Sequence, residues 1–182
     1  HLVKAAILQV VKSRYEGPYL LLRDRRDVER SHWQRHFPEP ADTGYLLFSG
    51  VDYETRQSIV SLIRVADNRV LVRWVPDWPD IISRSSPNKY SEQVTEQNVR
   101  AGHPVLLPDG DLIFNTGASM VRMTSCSRKP VWVLDEVIHH SNEIDNDGNI
   151  VAPSVSLEEF ANNPELLDRV RDDAIAMVSP NG

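Results

Sequence analysis

The segment from His103 to Ser154 writes one pattern nearly twice: a histidine, an apolar run, an Asp-Gly turn and a second apolar run. The first copy is His103-Pro-Val-Leu-Leu-Pro-Asp-Gly-Asp-Leu-Ile-Phe114. The second is His140-Ser-Asn-Glu-Ile-Asp-Asn-Asp-Gly-Asn-Ile-Val-Ala152, with another histidine at position 139. Apolar runs of strand length joined by Asp-Gly are β-hairpin signals. A hairpin alone buries too little to be stable in water, so copies of one must pack against each other or against further strands. This demand for stacking restricts the fold more than any other feature of the chain.

Upstream, Tyr45-Leu-Leu-Phe-Ser49, Ser58-Ile-Val-Ser-Leu-Ile-Arg-Val65 and Val70-Leu-Val-Arg-Trp74 are β-branched, aromatic and leucine-rich runs separated by polar turns, the pattern of a three-stranded antiparallel meander. Met120 to Leu134 repeats a part of it. Arg64 precedes Trp74 by ten positions and Arg122 precedes Trp132 by ten, which suggests an internal repeat spaced by 58. Ala176 to Gly182 offers a strand and turn for a third time. Between these runs, Val75 to Gly102 is a long connection with room for a turn or two of helix within Ser83 to Gln97. The insertion from Pro153 to Asp173 carries Ser156-Leu-Glu-Glu159, spaced as a capping box, and Asn163-Pro164, with proline at a first helical position. Before Gly44 the pattern is weaker. Tyr19-Leu20-Leu21-Leu22 reads as a strand, and the charged stretch after it holds His32 and His36, which read as surface or packing residues.

The expected architecture is therefore all-β: antiparallel meanders with short helical insertions, built as β-propeller blades over residues 44–182, with residues 1–43 as an N-terminal extension. A sandwich also uses short strands, but would not repeat both Arg-x9-Trp and histidine with Asp-Gly in register. Blades of ~40–50 residues give about three in this length, fewer than the four or more that close a propeller. The reading is thus of a partial propeller, truncated within a blade, with open strand edges available to a protein partner.

Composition narrows the function. A net charge of -6 and a pI near 5.5 argue against a nucleic-acid binder, and Arg23, Arg25, Arg26, Arg30 and Arg35 are interleaved with acids as on a solvated face. No run of about 20 apolar residues spans a bilayer. The single cysteine, Cys126, excludes an internal disulfide and a cysteine-rich metal site; no flanking histidine or helix start activates it, so it reads as a free thiol. The remaining chemistry-bearing residues are His103, His139 and His140. A histidine entering the innermost strand of a blade faces the mouth of the central channel. Imidazoles placed there suit metal binding, acid–base catalysis or nucleophilic attack, with packing at a strand end as the structural alternative.

These motifs resemble the bacterial arylsulfotransferases. The resemblance is carried by Gly44-Tyr-Leu-Leu-Phe48, Leu62 to Trp74, His103 to Phe114, Pro130-Val-Trp-Val-Leu-Asp135, His139-His-Ser-Asn-Glu-Ile-Asp-Asn-Asp-Gly-Asn-Ile150 and Asp172 to Gly182, and covers about three quarters of the chain. It implies a six-bladed propeller, periplasmic or membrane-anchored and facing the periplasm. The implied reaction moves a sulfuryl group from an aryl sulfate to a phenol through a sulfated histidine, with further histidines and an arginine stabilising charge. No cofactor and no metal are implied. By that resemblance His140 with His139 occupies a channel position, His140 donating to the sulfuryl oxygens or leaving group, and His103 occupies the equivalent position one blade earlier. Ser141 and Asn142 stand where family members often carry an acidic residue, and the family's nucleophilic histidine belongs to a later blade. The alternative is a non-catalytic propeller module that binds a protein partner.

Overall fold

The computed structural model describes residues 44–52, 54–86, 95–96, 98–155 and 173–182. These residues form three antiparallel sheets. The first is the predicted meander, β1 (Tyr45–Val51), β2 (Ser58–Arg64) and β3 (Arg69–Trp74), paired in the order β1-β2-β3. After it comes a helix, α1 (Trp78–Ser83). The second sheet is β4 (Gly102–Leu106), β5 (Leu112–Asn115), β6 (Met120–Met123) and β7 (Pro130–Leu134), also in chain order. The third holds β8 (Glu143–Ile144), β9 (Ile150–Val155) and β10 (Asp173–Val178), with β9 in the middle. None of the three sheets closes on itself.

Period-two alternation on β5 stacks the sheets. Leu112 and Phe114 point to the first sheet, where they join Val60, Trp74, Val121 and Met123 in one core. Ile113 points the other way and joins Met120, Ile138, Ile150, Ala152 and Val178 in a second core against the third sheet. All four residues of β5 are buried, because the middle sheet is covered on both faces. Trp78 at the start of α1 seals the first core. Its indole N–H donates to the Ser58 carbonyl at 3.0 Å, and its ring meets Phe114 edge-on with centroids 5.9 Å apart.

The two Asp-Gly turns are the same turn. The Leu107 N–H donates to the Asp111 carbonyl at 2.8 Å and the Gly110 N–H to the Leu107 carbonyl at 2.9 Å. In the other copy the Asp145 N–H donates to the Asn149 carbonyl at 2.9 Å and the Gly148 N–H to the Asp145 carbonyl at 3.1 Å. Gly110 and Gly148 have φ of 90° and 85°, a conformation that glycine adopts without a Cβ penalty.

Two expectations change, and a third falls mostly outside the described residues. The Arg–Trp spacing is not a structural repeat: Arg122 lies directly opposite Trp132, whereas Arg64 lies opposite Arg69 and Trp74 opposite Val60. The turn from β2 to β3 is shorter than the turn from β6 to β7, so equal sequence spacing places the two tryptophans at different heights on their sheets. The long connection carries α1 from Trp78, where the Asp77 carboxylate accepts from the Asp80 N–H at 3.4 Å and Pro79 occupies the first turn, and most of the stretch expected to hold a turn or two of helix, Ser83 to Gln97, lies outside the described residues. The insertion after the second Asp-Gly turn begins later than Pro153, because Pro153 to Val155 complete β9. The strand at Tyr19–Leu22, His32, His36 and the two helix starts at Ser156 and Asn163 lie outside the described residues. No helix among the described residues is long and apolar enough to cross a membrane.

Candidate functional site

Each histidine-bearing segment is the first strand of its sheet, and each is broken at the histidine. On β4 the pairing jumps from Gly102 opposite Asn115 to Val105 opposite Ile113, so His103 and Pro104 together face Phe114 as a β-bulge. Ahead of β8, Ile138 bridges Ser154 and the His139 N–H donates to the Pro153 carbonyl at 3.0 Å. Regular pairing resumes at Glu143 opposite Val151, which leaves His140 to Asn142 as the bulged residues.

The backbone does the same unusual thing in both places. His103 has φ of 46° and His140 has φ of 61°. Only Arg56 and Asn68 share that property among the described non-glycine residues, and both lie in turns between strands. A left-handed conformation costs a residue with a Cβ about 1–3 kcal/mol, so it persists only where its surroundings hold it. Both side chains are exposed, while His139 is half-buried and meets His140 edge-on, with ring centroids 4.6 Å apart at 78°.

The surroundings that hold the bulges are two buried asparagines. Asn115, at the end of β5, donates from Nδ2 to the His140 carbonyl at 2.7 Å. Asn142 donates from Nδ2 to the His103 carbonyl at 2.8 Å. Each is only 4% exposed, and each reaches from its own sheet to the histidine of the other. The Asn142 Oδ1 is buried and accepts no hydrogen bond, a cost of about 1–3 kcal/mol that an apolar residue would avoid. Gly102 makes room for the first bond, since a Cβ there would lie 2.7 Å from the Asn115 Oδ1 and 3.2 Å from its carbonyl oxygen. On the other side of His103, the Ala101 N–H donates to Ser58 Oγ at 3.0 Å, and Ser49 Oγ donates to the Ala101 carbonyl. The histidine of β4 is thus anchored from the first sheet and from the third.

The structure therefore joins the His103 and His139–His140 segments at one end of the strands. The repeat arginine belongs to the other end. Arg122 donates from Nε to Asp111 and from Nη2 to Asp109, both at 2.7 Å, and from Nη1 to the Pro180 carbonyl, which also accepts from the Trp132 indole at 3.0 Å. This cluster fastens the Asp-Gly turn and the last turn to the middle sheet. Cys126 is exposed in the turn from β6 to β7. Among the described residues, no three His, Cys, Asp or Glu side chains group as a metal site.

The sequence singles out the histidines but not the residues that hold their backbone. Asn142 sits two residues after His140, and Asn115 ends an apolar run with a polar side chain; both positions are visible in the sequence, but their pairing across sheets is not. Ser49, Ser58 and Gly102 carry no sequence signal for their roles. Comparison of the chain with protein-family models, with curated proteins and with solved structures gives no match.

Proposed function

We propose that the three sheets are consecutive blades of a β-propeller whose channel-mouth histidines serve sulfuryl transfer from an aryl sulfate to a phenol. The observation that carries the reading is the repeated geometry at His103 and His140: the same left-handed backbone, at the same place in two successive sheets, held by buried amides. Two costly conformations and an unsatisfied amide oxygen at one spot are what a site built for chemistry accumulates, and a strand end that only needs packing has no use for them. In this proposal the imidazole N–H groups of His103 and His140 donate to the sulfuryl oxygens and the departing phenolate, His139 fixes the ring of His140, and a histidine of another blade attacks sulfur. Preorganised donors of this kind stabilise charge as it develops in the transition state. In this proposal the enzyme works in the periplasm or facing it.

The outer face of the third sheet supports the propeller. Val178 opposite Ile150 corresponds to Met123 opposite Leu112, which makes Val151 and Ile175 the counterparts of Ile113 and Met120. Ile113 and Met120 are fully buried, while Ile175 is 81% exposed. An apolar residue in that place fits a face that another blade covers. The same face favours the second reading, a non-catalytic module whose outer sheet face docks a protein partner.

The test is to incubate the full-length protein with 4-nitrophenyl sulfate and phenol and follow nitrophenolate. The proposal expects turnover that falls by about 10²-fold in His140→Ala. Absence of turnover in the parent, or turnover indifferent to His140→Ala and His103→Ala, overturns it.

A further inference from the structure

The two histidines are not held independently. Asn115 belongs to the sheet of His103 and grips His140; Asn142 belongs to the segment of His140 and grips His103. From this reciprocity we infer that Asn115 and Asn142 are positioning residues that couple the two histidines into one unit, each sheet setting the backbone of the other's histidine. The inference rests on the reading of His103 and His140 as parts of one site, and not on the reaction that the site performs.

Four features of the structure bear on it. The bonds are crossed between sheets, so neither can form unless the two sheets are in contact. Both acceptors are carbonyls of residues in the left-handed region, so each bond acts directly on the strained peptide. Both donors are buried, which fixes the amide planes. The Asn142 side chain keeps its bond to His103 although its own Oδ1 accepts nothing, so the His103 bond accounts for an amide at that position. A slip of one sheet past the other would release both histidines together. The separation of the two histidine backbones is therefore set by the packing of the sheets.

Nuclear magnetic resonance on the full chain tests this without reference to turnover. In the parent, the Nδ2 protons of Asn115 and Asn142 exchange slowly with solvent, and the Cα shifts and amide couplings of His103 and His140 report a positive φ. Asn115→Ala is expected to move the backbone signals of His140 away from the left-handed range and leave those of His103 nearly in place. Asn142→Ala is expected to do the reverse. Gly102→Ala is a second perturbation that keeps both amides: its Cβ displaces the Asn115 side chain and should reproduce the Asn115→Ala pattern at His140. Retention of positive φ at both histidines in all three variants overturns the inference, as does a disturbance confined to the histidine of the same sheet. Turnover of 4-nitrophenyl sulfate forms a separate arm. A relaxed bulge with kcat unaltered overturns the positioning role, whereas no turnover even in the parent overturns the sulfuryl-transfer reading and leaves the coupling intact.

Discussion

Replacement of His140 by glycine and by alanine separates strain from side-chain chemistry. At an ordinary strand position alanine is the better residue, because glycine loses more backbone freedom on folding, at a cost of about 0.5–1 kcal/mol. At φ of 61° the order reverses. Alanine retains the clash of its Cβ with the backbone, worth about 1–2 kcal/mol, and glycine removes it. After the entropy cost, glycine is expected to be the more stable of the two by roughly 0.5–1 kcal/mol. Both variants lose the edge-on contact with His139, and because that loss is common to them it cancels in the comparison. The same reversal is expected at His103, where φ is 46°. Val131, exposed on β7 and without a positive φ, is the control, and there alanine should win. Urea unfolding of the paired variants measures the difference from the midpoints at constant m-value. A His140→Ala protein as stable as His140→Gly or more so would refute the claim that the bulge is held under strain.

Phe114→Ala removes a fully buried ring from the core between the first and second sheets and breaks its contact with Trp78; a loss of about 3–5 kcal/mol is expected, read by denaturant unfolding. Arg122→Met takes away the donors to Asp109, Asp111 and the Pro180 carbonyl; destabilisation of about 2 kcal/mol should accompany release of the 179–182 turn, seen as a change in Trp132 fluorescence. The Asp67 carboxyl is pulled down to about 2 by its hydrogen bonds from Arg64. Its contribution is present above the unfolded value of about 3.9 and fades as pH falls through about 2, and Arg64→Ala should raise the titration midpoint measured by carboxyl carbon resonance.

Much of the architecture was legible because it rests on local signals. The strand runs at Tyr45, Ser58 and Val70 pair as the meander that their β-branched, aromatic and leucine-rich composition predicts, and the Asp-Gly turns fold alike because glycine supplies a similar φ in each. The Arg–Trp spacing misled because the count of residues between two side chains passes through a turn whose length the count does not see. The histidines were legible as residue types in a repeated place. Their left-handed backbone was not, since it arises from bulges whose register depends on partner strands, and the crossed asparagine bonds depend on the stacking of two sheets. What fails to show in one dimension is thus the part of the site made by contact between distant segments.

The central claim is that His103 and His140 form a single site. Titration of 4-nitrophenyl sulfate into the full-length protein, followed through the imidazole nitrogen resonances of the histidines, tests it most directly. The account predicts that His103 and His140 shift together along one saturation curve, and that Asn115→Ala weakens the response of both. Response of one histidine alone, or of neither up to saturating ligand, would contradict it.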